Sequence, residues 1–295
     1  MLWLLLTIVP VTAVIDLAVS KEDIDRAVAV TAPVFWGRGL RQRGELRVLT
    51  LCLAGDAKRS SHCSWSSLLE SSLRSALPHQ VSVHDESPYL ESESQRQGGP
   101  SNVSLEMASQ LRLSFESKPR EQWPNLIILQ SSGDCDPTLD YATGLDHLLR
   151  AINKKYRSKH SPLPDYLLIE TPRLGELLAF NRTSPESWSR LEVFWHFDKS
   201  LLRHQNLFDL ARFYRYPMLS MADVCLPSYV RYFLCEECQE GWAYMEDGVR
   251  LSHKGMLLLV LDMIVPFLVN QINKTSSEEV IRSSFYDDPA VVYSP

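Results

Sequence analysis

The sequence predicts an α/β fold: a central, mainly parallel five-stranded sheet flanked by helices in three layers. Two observations carry that expectation. Short apolar runs alternate along the chain with amphipathic helical segments, which is the order of a parallel sheet covered by helices. The runs are mostly continuous Leu, Ile and Val, as in strands buried on both faces. The chain has 295 residues, 45% of them hydrophobic and 22% charged, which is enough for one large α/β domain.

The elements follow in order. Strands are expected at Leu46–Leu53, Gln80–His84, Asn125–Gln130, Tyr166–Glu170 and Met218–Met221. Helices are expected between them. Trp65–Leu77 repeats Trp65, Leu68, Leu69 and Leu73, and Thr138–Tyr156 repeats Leu145, Leu148, Leu149 and Ile152. Leu202–Tyr214 repeats Leu207, Leu210, Ala211 and Tyr214. Each has the i, i+3, i+4 spacing of one buried face. A last helix, about Ser252 to Asn270, is nearly all apolar from Met256 to Val269, and Pro266 should kink or shorten it. Fourteen residues interrupted by Asp262 are short for a membrane span, so a core helix is expected there. Residues 85–118 are polar and read as a loop or insertion, and 274–295 as a tail.

The N-terminus points to the secretory pathway. Residues 1–20 are almost all apolar, with Asp16 the only charge, end in Ala18-Val19-Ser20, and read as a signal peptide or signal-anchor. Residues 21–44, with Pro33, Gly37, Gly39 and Gly44, read as a leader. Membrane attachment is expected only through the N-terminal segment, if it stays uncleaved. Three Asn-X-Ser/Thr sequons, at Asn102, Asn181 and Asn273, use three of the seven asparagines and are candidate glycosylation sites. The net charge of −6 gives no basic footprint for nucleic acid, and the basic residues Lys154, Lys155 and Arg157 to Lys159 read as a solvated loop.

Six cysteines are present. Cys235-Glu236-Glu237-Cys238 is a lone CxxC in a Glu-rich stretch without the second pair that structural zinc needs. One or two disulfides are expected near Cys225, Cys235 and Cys238, and Cys52, inside a strand pattern, reads as a buried thiol. No metal site or cofactor is expected. Asp134 and Asp136 read as a helix cap before Pro137-Thr138 rather than a metal pair, and Phe194-Trp195-His196-Phe197 as a lid or core cluster.

Four blocks carry a family resemblance. The first strand runs into Gly55-Asp56-Ala57 and a helix start, Ser64-Trp65-Ser66-Ser67-Leu68-Leu69. Pro124 to Gln130 is followed by Gly133-Asp134-Cys135-Asp136. His204 to Asp223 is an aromatic-rich helix end leading into a short strand. Asp247-Gly248-Val249-Arg250-Leu251-Ser252-His253-Lys254-Gly255 precedes the final helix. In this order, over residues 45 to 270, the chain resembles the SGNH (GDSL-type) hydrolases, as a divergent member similar to eukaryotic, algal-like ones. The resemblance implies a three-layer flavodoxin-like sandwich over 45–273 and an esterase site at its cleft, with Gly55, Asp56, Gly133 and Asp136 along that cleft.

In that family a serine attacks the ester carbonyl and a histidine takes its proton. An aspartate three residues before orients the histidine, and a glycine and an asparagine help hold the oxyanion. Here Ala57 stands at the serine, Cys135 at the asparagine and Arg250 at the histidine, and Asp85-Glu86-Ser87 supplies no glycine. Only Asp247 is kept. A methyl group cannot attack a carbonyl. His253, six residues after Asp247, is the one residue offered as a relocated base. The resemblance therefore implies a degenerate hydrolase serving as a binding or scaffold module, with a glycan or acylated ligand as the expected partner. Two alternatives stand beside it: an active esterase on an acyl ester of a glycan or lipid, working through a non-standard site, and a glycan-binding module that retains the cleft.

Overall fold

The computed structural model describes residues 21–28, 36, 45–53, 65–78, 80–85, 118–131, 139–171, 207–221, 223–225, 244 and 251–273. Five strands form one sheet: β1 (Glu45–Leu53), β2 (Gln80–Asp85), β3 (Leu126–Ser131), β4 (Asp165–Glu170) and β5 (Met218–Ser220). Their order is β2-β1-β3-β4-β5 and every pairing is parallel. This is the flavodoxin-like order, in which the chain reverses its direction across the sheet between β1 and β3. All five expected strands are present. β5 is the shortest, ending at Ser220, because Met221 already belongs to a helical turn.

The apolar runs explain the layering. Leu46 and Val48 of β1 face one side with Leu126 and Ile128 of β3 and Leu167 and Ile169 of β4. Leu49 and Leu51, Ile127 and Leu129, and Tyr166 and Leu168 face the other. On the first face lie α1 (Lys21–Val28), α2 (Ser66–Ala76) and the C-terminal helix. On the second lie α3 (Leu139–Ser158) and the helix over 207–214, hereafter α4. The basic cluster Lys154 to Lys159, expected in a loop, instead ends α3, where cations complement the helix dipole.

The C-terminal helix has three consecutive parts: α5 (His253–Leu257), a π-helical stretch over Leu258–Ile264, and α6 (Val265–Asn273). The helix is not shortened at Pro266: it runs on to Asn273, with the π-helical stretch immediately before it. Proline has no N–H to give the carbonyl four residues back, and its ring crowds that carbonyl. The wider turn relieves this, with Val265 N–H bonding to Val260 O. By length and composition His253–Ile272 is apolar enough to cross a membrane. Its Leu259, Val260, Met263, Ile264, Phe267 and Leu268 are nonetheless fully buried against the sheet, as expected of a core helix.

The stretch read as a leader contributes to the core. Ile24 and Val28 of α1 pack on the first face. Trp36 is buried, meets Phe267 edge-on at 5.3 Å, and donates its indole N–H to Tyr166 O at 2.9 Å. The reason lies in the sheet. β5 pairs β4 only from Leu168 onward, so the Tyr166 carbonyl has no strand partner on that side. The indole replaces the missing ladder bond, and an unmet buried carbonyl would cost about 1–3 kcal/mol. Pro33 and the glycines of this stretch conceal its role in the sequence.

A ladder of tyrosines joins β4 to α3 and α4. Tyr166 stacks on Tyr216 at 4.6 Å, and Tyr216 on Tyr214 at 5.3 Å. Tyr166 donates to Asn153 Oδ1 at 2.9 Å, and Tyr214 donates to Asp146, which also pairs with Arg150 at 2.7 Å. Burial raises the hydroxyl of Tyr166 well above its ordinary value, and raises Tyr216 and Tyr214, the last helped by the Asp146 carboxylate. Burial opposes ionisation of Asp146, but the bonds from Arg150 and Tyr214 outweigh it and hold the carboxyl below its usual range.

These shifts fix the alkaline limb of stability. A tyrosine raised in the folded state keeps its proton where the unfolded chain, titrating near about pH 10, has lost it. Stability should therefore hold up to about pH 10 and fall above it, by up to about 1.4 kcal/mol per pH unit for each such tyrosine. Urea unfolding between pH 8 and 11 should show a shallower fall for Tyr166→Phe than for the wild type. An unchanged slope would show that Tyr166 titrates alike in both states.

Candidate functional site

In an open parallel sheet, ligands bind at the carboxyl ends of the strands, beside the point where strand order reverses. Here that point lies between β1 and β3, whose last residues, Leu53 and Ser131, are register partners. The segments that follow them in the chain hold the residues of two of the family-like blocks. They carry Gly55, Asp56 and Ala57 after β1, and Gly133, Cys135 and Asp136 after β3. Those six residues lie outside the described residues, as do Asp247, Arg250, Asn102 and Asn181. Asn273 is the last residue of α6, and its side chain is likewise outside them.

The structure places His253 at the first position of α5, exposed to solvent. The turn it heads is fixed by Ser252, whose Oγ accepts from Gly255 N at 3.1 Å. Ser252 N donates to Tyr244 O at 3.0 Å. Gly255 is needed at this spot: a Cβ there would sit 2.0 Å from Tyr244 O, closer than any side chain tolerates. Lys254 Nζ lies 5.0 Å from the centre of the Tyr244 ring. The glycine that ends the Asp247–Gly255 block thus serves helix docking.

A row of polar residues crosses the carboxyl edge of the sheet, and the sequence reading missed it. Cys52, Gln130, Glu170 and Ser220 stand at or next to the ends of β1, β3, β4 and β5. Cys52 is in register with Gln130, and Glu170 with Ser220. Gln130 is 7% exposed; its Oε1 accepts Trp65 Nε1–H at 2.5 Å, and its Nε2 donates to Thr171 Oγ1 at 3.4 Å. Glu170, 8% exposed, accepts from Ser220 Oγ at 2.7 Å. Ser220 Oγ in turn accepts from Asp223 N at 3.1 Å, capping the turn that follows β5. Two residues before Cys52 on β1, Thr50 shares a hydroxyl–hydroxyl bond of 2.8 Å with Ser66 that seats the start of α2. A sequence signal was present on β3 and β4, where a polar residue follows an apolar run, as in Leu-Ile-Ile-Leu-Gln and Tyr-Leu-Leu-Ile-Glu.

The hydrogen bonds of this row run to neighbouring protein groups. Ser220 gives its only proton to a buried carboxylate and takes a backbone N–H in return, so it orders the β5 end. Gln130 joins three elements, β3, α2 and the residue after β4. Among the described residues no group of three or more His, Cys, Asp or Glu is placed to hold a metal ion.

Two cysteine expectations change. Cys52 is disulfide-bonded to a residue outside the described set rather than a buried thiol. Its Sγ, 3.0 Å from Gln130 Oε1, therefore has no proton to donate and makes a contact there instead. Cys225, expected near a disulfide, is a buried thiol packed in the core of the first face. Burial among Val224, Met221 and Leu219 favours the small apolar thiol at that position.

No protein-family model and no curated protein matches the chain. Among solved structures it is similar to a two-domain esterase active on acetylated mannans, co-crystallised with mannopentaose. The two chains are 18% identical with a TM-score of 0.47, over 85% of this chain and 53% of the other. The chain thus spans about half the length of that esterase.

The Gln130 hub makes a direct prediction. Gln130→Leu keeps the volume but leaves the buried Trp65 indole N–H without an acceptor, which costs about 1–3 kcal/mol. The urea midpoint should fall accordingly at an unchanged slope. A variant as stable as the wild type would show that the indole finds another partner.

Proposed function

We propose that this chain is an SGNH-like module of the secretory pathway that has lost catalysis and binds a glycan or acylated ligand at the carboxyl edge of its sheet. The observation that carries this reading is the joint replacement at Ala57, Arg250 and Cys135, with Asp247 alone retained. Loss of nucleophile or base leaves only about 10³–10⁴-fold catalysis over water. Each missing oxyanion donor removes about another 10²–10³-fold. With Arg250 in place of the base, Asp247 has no imidazole to orient and is free to pair with the guanidinium instead. The exposure of His253 at the start of α5 suits a helix-start residue better than a relocated base held in a cleft.

Three features support the location: the apolar segment 1–20, the sequons at Asn102, Asn181 and Asn273, and a disulfide at Cys52, which persists in oxidising compartments. The polar row of Gln130, Glu170, Thr171 and Ser220 supports a cleft whose shape has outlived its reaction. A scaffold role needs no further chemistry from these residues.

Hydrolysis of a short p-nitrophenyl acyl ester is the test. The wild-type chain should not exceed the no-enzyme rate. Ala57→Ser combined with Arg250→His should give at most weak turnover, because the glycine and asparagine donors remain absent. Robust wild-type turnover that His253→Ala abolishes would overturn the reading and establish an active esterase with a displaced base.

A further inference from the structure

We infer that the amino edge of the sheet, opposite the candidate site, binds an anionic polysaccharide, one that carries sulfate or carboxylate groups. Three neighbouring strands, β3, β4 and β5, start at this edge. Arg120 lies shortly before β3, the end of α3 shortly before β4, and the end of α4 shortly before β5. Contacts join the three approaches. Arg120 Nη2 donates to His160 O, just past α3, and Trp123 meets Tyr156 edge-on at 5.1 Å. Asn153 Nδ2 of α3 donates to Tyr216 Oη at 3.4 Å, just past α4, and the Arg157 charge reaches the same tyrosine.

The cations of these approaches therefore form one surface. Arg120, Lys154, Arg157, Lys159, Arg212 and Arg215 are all exposed. Among the described residues, Lys154, Arg157, Lys159, Arg212 and Arg215 make no ion pair. Residues 147–164 and 210–219 contain no Asp or Glu. Asp146 is taken up by Arg150 and Tyr214, which leaves Glu121, Asp165 and Asp209 against the six cations. The two helix ends add only about −0.5 charge each. A positive excess thus stands on one edge of a chain whose net charge is −6.

Helix termination alone does not account for these side chains. The dipole favours a cation in the last turn, which covers Arg157. Lys154 lies before that turn, and it has Arg150 four residues back and Arg157 three residues on, both like charges. His160 and Arg215 follow α3 and α4 with φ of 51° and 57°, the only positive values at non-glycine residues among the described ones. Ser161 N–H returns to Tyr156 O and Tyr216 N–H to Ala211 O, closing both helices alike. Glycine is the usual residue in that left-handed position, because a side chain there is strained. Here both positions keep side chains that bind anions.

The shape of the surface selects the ligand. From Lys154 to His160 it runs about 9 Å along the α3 axis, and Arg212 and Arg215 widen it onto α4. A single small anion can meet only part of it, whereas a chain of repeating charges can meet all of it. Phe213, beside Arg212, is 69% exposed and meets Tyr214 edge-on at 5.0 Å. The electron-rich face of such a ring suits the C–H face of a sugar. The choice of a polysaccharide over an anionic membrane rests on the secretory reading, since negative surface potential belongs to the cytoplasmic leaflet.

The test is binding of the full chain, made in a eukaryotic secretory host, to heparin, to neutral dextran, and to vesicles of equimolar phosphatidylcholine and phosphatidylserine. Heparin should bind, dextran should not, and rising salt should weaken the complex. Lys154→Glu with Arg212→Glu should weaken heparin binding by at least about tenfold. Lys21→Glu with Lys254→Glu makes the same charge change away from this edge and should weaken it by less than about twofold. Lysine acetylation of the wild type decides even if a variant fails to fold: heparin should protect Lys154 and Lys159 and leave Lys21 and Lys254 reactive. No heparin binding, equal losses in the two variants, no protection of Lys154 and Lys159, or tighter binding to the vesicles would overturn the inference. Loss of mass on enzymatic deglycosylation tests the secretory reading separately, so failure there and failure to bind heparin are distinct results.

Discussion

The parallel pairing of β1 with β3 is the constraint on which the rest of the molecule depends. It places Leu53 beside Ser131 at the carboxyl edge of the sheet. It puts Cys52 in register with Gln130, and through Gln130 it brings in Trp65 from α2 and Thr171 from the end of β4. A slip of one residue would turn Gln130 to the other face and bring Ile127 and Leu129 onto the wrong layer. The apolar faces of β1 and β3 are buried on both sides, so such a slip exchanges two filled cores at once. The site is therefore anchored by the most deeply packed part of the protein.

The elements were legible where burial imposes a pattern. The apolar runs of β3 and β4 became strands because a strand covered on both faces has little room for a polar residue, while β2 is a half-exposed edge strand. The helical repeats of α2 and α3 became their buried stripes. Trp36 was not legible, since its role is to satisfy a carbonyl left open by the shortness of β5, a fact of pairing rather than of local sequence. The π-helical stretch before Pro266 is similar: proline announced a disturbance, and packing against the sheet decided that the helix would widen and continue.

The candidate site divided in the same way. The polar row was written in the sequence as single polar residues closing apolar runs, yet each looked like an ordinary strand end. Its meaning came only when register placed Glu170 beside Ser220 and Cys52 beside Gln130. Gly255 was noted as part of a motif, and geometry gave it a packing reason, the close approach of Tyr244 O. Ala57, Cys135 and Arg250 are read from the sequence alone, and the proposed binding role rests on them.

The central claim is that the cleft holds no activated nucleophile. A fluorophosphonate probe measures this most directly, because it phosphonylates a serine only when a base and an oxyanion site activate it. Intact-mass measurement after exposure to the probe should find the wild-type chain unmodified. A single stoichiometric adduct that His253→Ala abolishes would contradict the account.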